Sequence, residues 1–175
     1  DTEAQRQIDA DLDEMEAMIT ATLAYLRGDA EQEQLRVTDL AAILETLCDD
    51  ATDAGRPVSY DGPSQARLAC RPIAIKRALA NMIDNAVKYG GAARVTLRDR
   101  GTLVEVAVED DGPGIPEAEI EAAFEPFRRL DPSRNPESGG SGLGLTIARQ
   151  VAERHGGTCL LYTSDAADDP LRADL

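Results

Sequence analysis

The sequence predicts an α+β domain, a two-layer α/β sandwich in which a mixed, mostly antiparallel sheet carries helices on one face, preceded by one long helix. Two observations lead to this prediction. Short segments with alternating apolar residues, typical of strands, occur between longer segments whose apolar residues recur every three or four positions, typical of helices. The first 33 residues carry a heptad pattern instead. We therefore expect residues 1–33 to form a helix and its linker, residues 34–158 the sandwich, with its C-terminal strands incomplete, and residues 159–175 a non-native or disordered tail.

The heptad pattern is carried by Ile8, Leu12, Met15, Ile19, Thr22 and Leu26. It is typical of a helix, here from Asp9 to Arg27, that packs along a partner helix. An ordinary amphipathic helix that packs on its own domain is the alternative. Because the chain begins without Met inside this pattern, we expect it to be a fragment of a longer protein.

The elements of the sandwich follow from periodicity and from residues that begin or end helices. We expect a strand at residues 35–37, a helix capped by Thr38 or Asp39 and ended by Gly55, and strands at 57–60 and 66–70 joined by a turn at 61–63. A long helix from Ile73 to Tyr89 follows, opened by Pro72. The remaining elements are a hairpin of residues 94–98 and 103–108, a short helix after Pro116, a mobile loop over 130–141, and a helix from Gly142 to His155.

The charge of the chain argues against some classes of partner. The formal net charge is −15 and the sequence pI is about 4.4, which disfavours a nucleic-acid or anionic-membrane surface. An acidic protein that binds a polyphosphate therefore needs Mg²⁺, backbone amides or a few cations placed near the ligand. Three cysteines without metal-ligand or redox spacing fit a reduced cytosol, and the sequence holds neither a membrane-spanning run nor a signal-peptide pattern.

A carboxylate stands at the end of a predicted strand, in the segment Glu109-Asp110-Asp111-Gly112-Pro113-Gly114-Ile115. Asp110 follows the strand, and the two glycines allow positive φ and a close approach of a ligand to the backbone. This arrangement suits acceptance of a hydrogen bond from a flat polar ligand, such as an exocyclic amine. A Pro-Gly loop in which the aspartate acts as a cap is the alternative.

Two further motifs carry groups suited to a nucleotide. Asn81 and Asn85 are four residues apart on one helix face, and a carboxamide oxygen is a ligand that Mg²⁺ accepts. Lys88 and Tyr89 follow, with a charge for phosphate and a ring for a base. The glycine run 140–145 leads directly into a helix, and exposed amides at a helix start suit an anion. Two asparagines on a solvated face and a flexible linker are the alternatives.

The order of these motifs resembles the ATP-binding domain of EnvZ-like sensor histidine kinases, in the gyrase, Hsp90, histidine kinase and MutL superfamily. The resemblance covers roughly Asp9 to Gly157 and joins an Asn-rich helix, the Asp110 motif, a Phe124/Phe127 pair, a mobile loop and a glycine-rich helix start. It implies the Bergerat (GHKL) ATP-binding fold, with ATP and Mg²⁺ as cofactors. It also implies a protein histidine kinase that transfers the γ-phosphoryl group of ATP to a histidine on a partner helix hairpin.

The resemblance implies roles for individual residues. Asp110 would accept a hydrogen bond from the adenine amino group, beside Gly112, Gly114 and Ile115. Asn85 would hold Mg²⁺ with Asn81 near the phosphates, Lys88 would reach phosphate or ribose, and Tyr89 would flank the adenine. Phe124 and Phe127 would anchor the lid, and Arg129 would approach the phosphates. The phosphate-side loop would consist of Gly140, Gly142, Leu143, Gly144 and Leu145, and Asn81 and Arg129 are the implied catalytic residues.

The resemblance also implies partners that lie outside this chain. The first helix looks like the second helix of a dimerisation and phosphotransfer hairpin, whose other helix would carry the phosphoacceptor histidine. The implied partners are that missing helix, the receiver domain of a response regulator and a second copy of the full-length protein, and no nucleic acid is implied. The implied location is a cytoplasmic domain of a bacterial protein anchored in the inner membrane. His155, the single histidine of this chain, lies about three turns from the phosphate end of its helix, so we expect a structural role there.

One residue separates this chain from the ATPases of the same superfamily. ATPases of the gyrase, Hsp90 and MutL kind place a water-activating Glu where this chain has Asn81, and Asn cannot act as a base. A nucleotide-binding regulatory module without catalysis also stays open.

The C-terminus departs from the family pattern, which has two strands after Gly156-Gly157. Thr158–Tyr162 suits the first, but residues 163–170 lack a strand pattern and resemble a translated sequencing adapter.

Overall fold

The computed structural model describes residues 33–128 and 141–162, the backbone of a strand at 172–174, and isolated positions near the N-terminus. Those isolated positions are helical: Gln5, Ile8, Leu12, Met15, Ile19, Thr22 and Leu23. The elements are β1 Arg36–Asp39, α1 Leu40–Asp53, β2 Val58–Asp61, β3 Arg67–Cys70, α2 Pro72–Gly90, β4 Ala93–Asp99, β5 Val104–Glu109, a 3₁₀ turn Glu117–Glu119, α3 Ile120–Ala123, α4 Gly144–Arg154, β6 Thr158–Leu160 and β7 Arg172–Asp174.

Five strands form the main sheet, in the order β2-β4-β5-β7-β6. Strands β2 and β4 are parallel, and every other pair in this sheet is antiparallel. Strands β1 and β3 form a separate antiparallel pair in which Val37 lies opposite Ala69. The predicted sandwich with a mixed, mostly antiparallel sheet is confirmed.

The turn at residues 61–63 does not make a hairpin. Strand β2 pairs with β4, whereas β3 pairs with β1. The reason lies at the start of α1, where the Leu40 N–H donates to the Ala66 carbonyl at 2.7 Å and Asp39 Oδ1 accepts from the Ala66 N–H at 3.0 Å. These two bonds hold the residue before β3 beside β1, and no local sequence pattern reports them.

One hydrophobic core joins the helices to one face of the sheet. Alternate residues of β4 and β5, among them Val95 and Val106, are buried together with residues of α1, α2 and α4. Some of the intervening positions of these strands carry ion pairs, such as Arg98 of β4 with Glu105 of β5 at 3.5 Å. Because side chains alternate between the faces of a strand, the helices cover one face only.

Helix α2 is fixed at both ends. Pro72 stands in its first turn, and the Glu33 carboxylate accepts hydrogen bonds from the N–H groups of Ile73 at 2.8 Å and Ala74 at 3.0 Å. Gly91 ends the helix in the left-handed conformation, with φ of 77°. The sequence does not reveal Glu33 as a cap, because it precedes the helix start by almost forty residues. The asparagines of α2 therefore stand on a rigid element.

The C-terminus holds two short strands of the main sheet. Strand β6 lies where the first of the two expected strands was predicted. Strand β7, Arg172–Asp174, lies beyond residues 163–170, for which the sequence predicts no strand, and it adds backbone pairs to both β5 and β6. An unpaired strand edge can pair with any segment that supplies backbone N–H and C=O groups. Such pairing does not depend on the side chains, so the residue pattern of the tail does not predict it. That residues 159–175 are not native to the protein stays a prediction.

Across the described parts of the chain, no helix has both the length and the apolarity needed to cross a membrane.

Candidate nucleotide site

Two motifs that are distant in sequence meet where α2 passes the start of α4. A Cβ placed on Gly144 would lie 3.4 Å from Asn85 Nδ2 and 3.6 Å from Asn81 Cβ. Both asparagine side chains are half-buried on this face of α2. The structure therefore brings Asn81, Asn85 and the first residue of α4 together, as the sequence predicts for a phosphate-binding surface.

The Asn81 carboxamide has an unused donor. Its Nδ2 atom is buried, and no hydrogen-bond partner for it exists among the described residues. Buried polar groups of folded proteins nearly always have a partner, so an unpaired donor indicates an absent ligand or water. Since the atom donates, a phosphate oxygen is a suitable acceptor for it.

The start of α4 offers backbone amides. No side chain in the described part of the chain caps its first turn, so N–H groups there remain available to a ligand. Leu143 is fully buried and Leu145 packs against the core, which holds the backbone in place. The Ser141 hydroxyl accepts from the Leu143 N–H at 3.3 Å, just before the helix.

Asp110 lies at the other end of α2, one residue beyond β5. Its Oδ1 atom accepts a hydrogen bond from the Gly112 N–H at 2.8 Å. A Cβ on Gly112 would lie 2.6 Å from that oxygen and 3.0 Å from the Tyr89 carbonyl oxygen, so a larger residue does not fit there. The carboxylate is held in one orientation, and Oδ2 makes no hydrogen bond to any residue that the structure describes.

The other residues predicted at this end have different environments. Lys88 and Tyr89 belong to the last turn of α2, and the Lys88 Nζ atom lies 5.4 Å from the centroid of the Tyr89 ring. Tyr89 is 55% exposed, and its carbonyl oxygen is the atom that approaches Gly112. Gly114 has φ of 70°, while Ile115 is half-buried against the core. All four lie beside the Asp110 turn or within it.

The two phenylalanines behave differently. Phe124 is buried, whereas Phe127 is 54% exposed and has a positive φ of 64°. The Phe127 N–H donates to the Gly142 carbonyl oxygen at 3.0 Å. Phe127 is therefore attached through its backbone, and only Phe124 anchors the segment by burial. Arg129 and Gly140, predicted to contact phosphate, lie outside the described residues.

A contact that the sequence analysis missed joins α4 to Phe124. The Arg149 guanidinium donates to both Glu121 carboxylate oxygens at 3.1 Å, and its carbon lies 3.7 Å from the centroid of the Phe124 ring. The Thr146 hydroxyl donates to the Phe124 carbonyl at 2.9 Å. The hydrogen bonds from Arg149 lower the pKa of the Glu121 carboxyl. The only signal in the sequence is that Thr146 and Arg149 are three residues apart on one helix face.

His155 is fully engaged with the backbone. Its Nε2 atom accepts from the Arg71 N–H at 3.0 Å, and its Nδ1 atom lies 2.7 Å from the Val151 carbonyl. Since Nε2 must be unprotonated to accept, Nδ1 carries the proton and donates to Val151. This side chain connects the start of α2 to the end of α4, which agrees with a structural role.

Comparison with known proteins, like the geometry, indicates a nucleotide-binding domain. The model of the family described as histidine kinase-, DNA gyrase B- and HSP90-like ATPases matches residues 70–169. The chain belongs to this family. The predicted ATP-binding domain of the sensor histidine kinase kind is thereby confirmed, because the similar proteins are sensor kinases.

Three similar proteins show how far the likeness extends. The sensor histidine kinase GtrS of Pseudomonas aeruginosa is 38% identical over 157 residues, which cover 90% of this chain and 32% of GtrS. The sensor protein RstB of Escherichia coli is 36% identical over 164 residues, covering 90% of this chain and 38% of RstB. The structure of the histidine kinase domain of the E. coli osmosensor EnvZ aligns with a TM-score of 0.59 and 31% identity, covering 82% of this chain and 86% of that domain. The chain thus spans about a third of the length of these two curated relatives.

Proposed function

We propose that this chain binds Mg-ATP along α2 and transfers the γ-phosphoryl group to a histidine on a helix hairpin. One observation carries the proposal: α2 has groups suited to a base near its C-terminal end and groups suited to phosphates nearer its middle. Asp110 stands against Gly90 in the last turn of α2. Asn81, whose amide nitrogen is unpaired among the described residues, lies beside the start of α4 about two and a half turns earlier. One end suits a base with an amino group, and the other suits phosphates.

At the base end, Asp110 would accept a hydrogen bond from the adenine amino group through Oδ2. Its Oδ1 atom is already used by the Gly112 N–H, so the carboxylate cannot turn freely. Lys88 and Tyr89, at the same helix end, would contact the ribose or phosphate and the face of the base. A ligand hydrogen bond of this kind, shielded from water, gives selectivity as well as affinity.

At the phosphate end, Asn81 Nδ2 would donate to a phosphate oxygen, and the amides at the start of α4 would bind the same anion. Asn85 would hold Mg²⁺ through its carboxamide oxygen. The cation supplies charge neutralisation, which a chain of net charge −15 requires for a polyphosphate. Arg129 and Gly140 are proposed to complete this end.

The acceptor is proposed to be a histidine outside this chain. The only histidine here, His155, has both ring nitrogens hydrogen-bonded to backbone groups. At the N-terminus, Ile8, Leu12, Met15, Ile19 and Leu23 are helical and exposed. That apolar seam supports a partner helix, so residues 1–33 would be the second helix of a phosphotransfer hairpin and its linker, and 34–158 the catalytic domain.

The proposal extends to the longer protein of which such a domain is part. Its partners would be a response regulator receiver domain and a second copy of itself, and it would be anchored in the inner membrane with this domain in the cytoplasm. The similarity to the sensor proteins GtrS and RstB supports this extension.

A GHKL-type ATPase is the second candidate function, since the family includes such enzymes. It is the weaker one, because Asn81 cannot activate water. One experiment separates the two functions and the non-catalytic alternative. The chain would be incubated with Mg²⁺ and γ-labelled ATP, alone and with a separate two-helix hairpin that carries the acceptor histidine. The control is the same hairpin with that histidine replaced by alanine.

The proposed kinase would hydrolyse ATP slowly when alone and would label the intact hairpin with acid-labile, base-stable phosphate. The yield would be low, because the two parts are not linked and their effective concentration is small. Rapid phosphate release without the hairpin would favour the ATPase. Tight ATP binding without either reaction would favour the regulatory module, and label on His155 would overturn the assignment of the acceptor.

A further inference from the structure

Two adjacent glycines end α2, and the structure requires each of them for a different reason. Gly91 has a positive φ of 77°, and a Cβ added to it would meet no heavy atom within 4 Å. Gly90 is the last residue of the helix and is not among the residues with positive φ. Its backbone conformation is therefore open to any residue, and its restriction comes from space alone.

The space beside Gly90 is filled by Asp110. A Cβ on Gly90 would lie 2.5 Å from the Cβ of Asp110, 2.7 Å from its Oδ1 atom and 2.9 Å from its Cγ atom. The contact to Cβ cannot be relieved by a change of rotamer, because Cβ is fixed by the backbone. An ordinary carbon–carbon contact is at least about 3.5 Å, so either the helix end or residue 110 would have to move by about 1 Å.

We propose that Gly90 is a positioning residue for the nucleotide site, which places the Asp110 carboxylate at the depth required to read the amino group of the base. This inference rests on the proposed function. Gly90 packs against the Cβ of Asp110 on the side of α2. Gly112 packs against Oδ1, and because glycine has no Cβ there is room for that oxygen. Between these two glycines the carboxylate has one orientation, with Oδ2 directed away from the Gly112 hydrogen bond.

The consequence is a specific sensitivity to a small substitution. Binding groups must be held within about 0.5 Å of their productive position, and a shift of about 1 Å exceeds that tolerance. Gly90→Ala introduces one methyl group and, as a helix residue, alanine is favoured over glycine. If this variant loses recognition of the base, the cause is therefore the contact of the new methyl group with Asp110 and not unfolding of the helix.

The test compares ATP with purine riboside triphosphate, which has the same ring, ribose and phosphates but no amino group. Affinities would be measured by calorimetry with Mg²⁺ for the unmodified chain and for Gly90→Ala. We expect Gly90→Ala to bind ATP about 10-fold more weakly, the equivalent of one lost buried hydrogen bond, and to bind the analogue within about 2-fold of the unmodified chain. Gly91→Asn is the matched control. It changes the neighbouring glycine but tolerates the left-handed conformation, and it should keep the preference for ATP.

The outcomes separate this inference from the proposed function. If the unmodified chain binds ATP and the analogue equally, Asp110 does not read the base, and the proposed base site fails. If the unmodified chain prefers ATP and Gly90→Ala weakens both ligands equally, or neither, the positioning role of Gly90 is overturned while the base site stands.

A second measurement tests the contact without any ligand. Thermal unfolding would be followed by circular dichroism for Gly90→Ala, Asp110→Gly and the double variant. Gly90→Ala should lower the Tm in the unmodified background and raise it in the Asp110→Gly background, where no Cβ opposes the new methyl group and helix propensity alone acts. A change of the same sign and size in both backgrounds would overturn the inference.

Discussion

The backbone N–H of Phe127 donates a hydrogen bond to the carbonyl oxygen of Gly142 at 3.0 Å. These residues stand at the two ends of the segment that separates α3 from α4, so one bond joins both ends of that segment beside the start of α4. Gly142 has φ of 67°, and a Cβ on it would lie 2.8 Å from the carbonyl carbon of Phe127. Phe127 itself has a positive φ, which is costly for a bulky residue and persists only where the surroundings enforce it.

The first prediction concerns this junction. Gly142→Ala should separate Gly142 from Phe127, displace the amides at the start of α4 and weaken Mg-ATP binding by about 10-fold or more. Gly156→Ala is the matched control. Its φ is 76° and a Cβ there meets no heavy atom within 4 Å, so it introduces the same backbone strain without a clash, at the far end of α4. Calorimetry on both variants checks this, and equal losses of affinity would attribute the effect to strain alone.

Base selectivity gives the second prediction. Guanine presents a carbonyl where adenine presents an amine, so GTP would place two acceptors against each other at Asp110. We expect a preference of at least about 100-fold for ATP over GTP. Asp110→Ala should weaken ATP binding by about 1–3 kcal/mol and remove most of that preference. Equal affinity of the unmodified chain for the two nucleotides would exclude Asp110 from the base site.

The third prediction separates metal binding from folding. If Asn85 holds Mg²⁺, Asn85→Ala should weaken the binding of Mg-ATP by at least about 10-fold and leave the binding of adenosine nearly unchanged, since adenosine keeps the Asp110 contact. Titration with both ligands, and with ATP in the presence and absence of Mg²⁺, provides the comparison. A parallel loss for adenosine would mean that the substitution damages the fold.

The fourth prediction follows from the buried thiols. Burial raises the pKa of Cys48 and of Cys159 from 9.0 to about 11, so the thiolate fraction near pH 8.5 is about 100-fold lower in the folded chain. Alkylation of both cysteines by iodoacetamide should be slower by about that factor than in urea, as read by mass spectrometry. A raised folded-state pKa means that the neutral thiols stabilise the fold below pH 9. This stabilisation should be lost progressively as the pH rises from 9 towards 11. Alkylation at the same rate with and without urea would show that these cysteines are not buried.

Most of the fold and part of the site follow from local patterns in the chain. Helix α2 with its paired asparagines, the strand that leads to Asp110 and the helix that begins at the glycine run are short-range features, because periodicity, caps and glycine positions act over a few residues. The order of those motifs also identifies the family, since each motif is weak alone and their sequence along the chain is specific.

The contacts that make these motifs one site are long-range, and local patterns carry no record of them. Four contacts join residues that are far apart in the chain: Gly144 lies beside Asn85, Glu33 caps α2, β3 pairs with β1, and the Phe124 ring packs against the Arg149 guanidinium. Gly90 shows the difference most clearly. In the sequence it reads as half of a helix-ending pair, and only packing against Asp110, a residue on another element, shows that a single methyl group would have no room there.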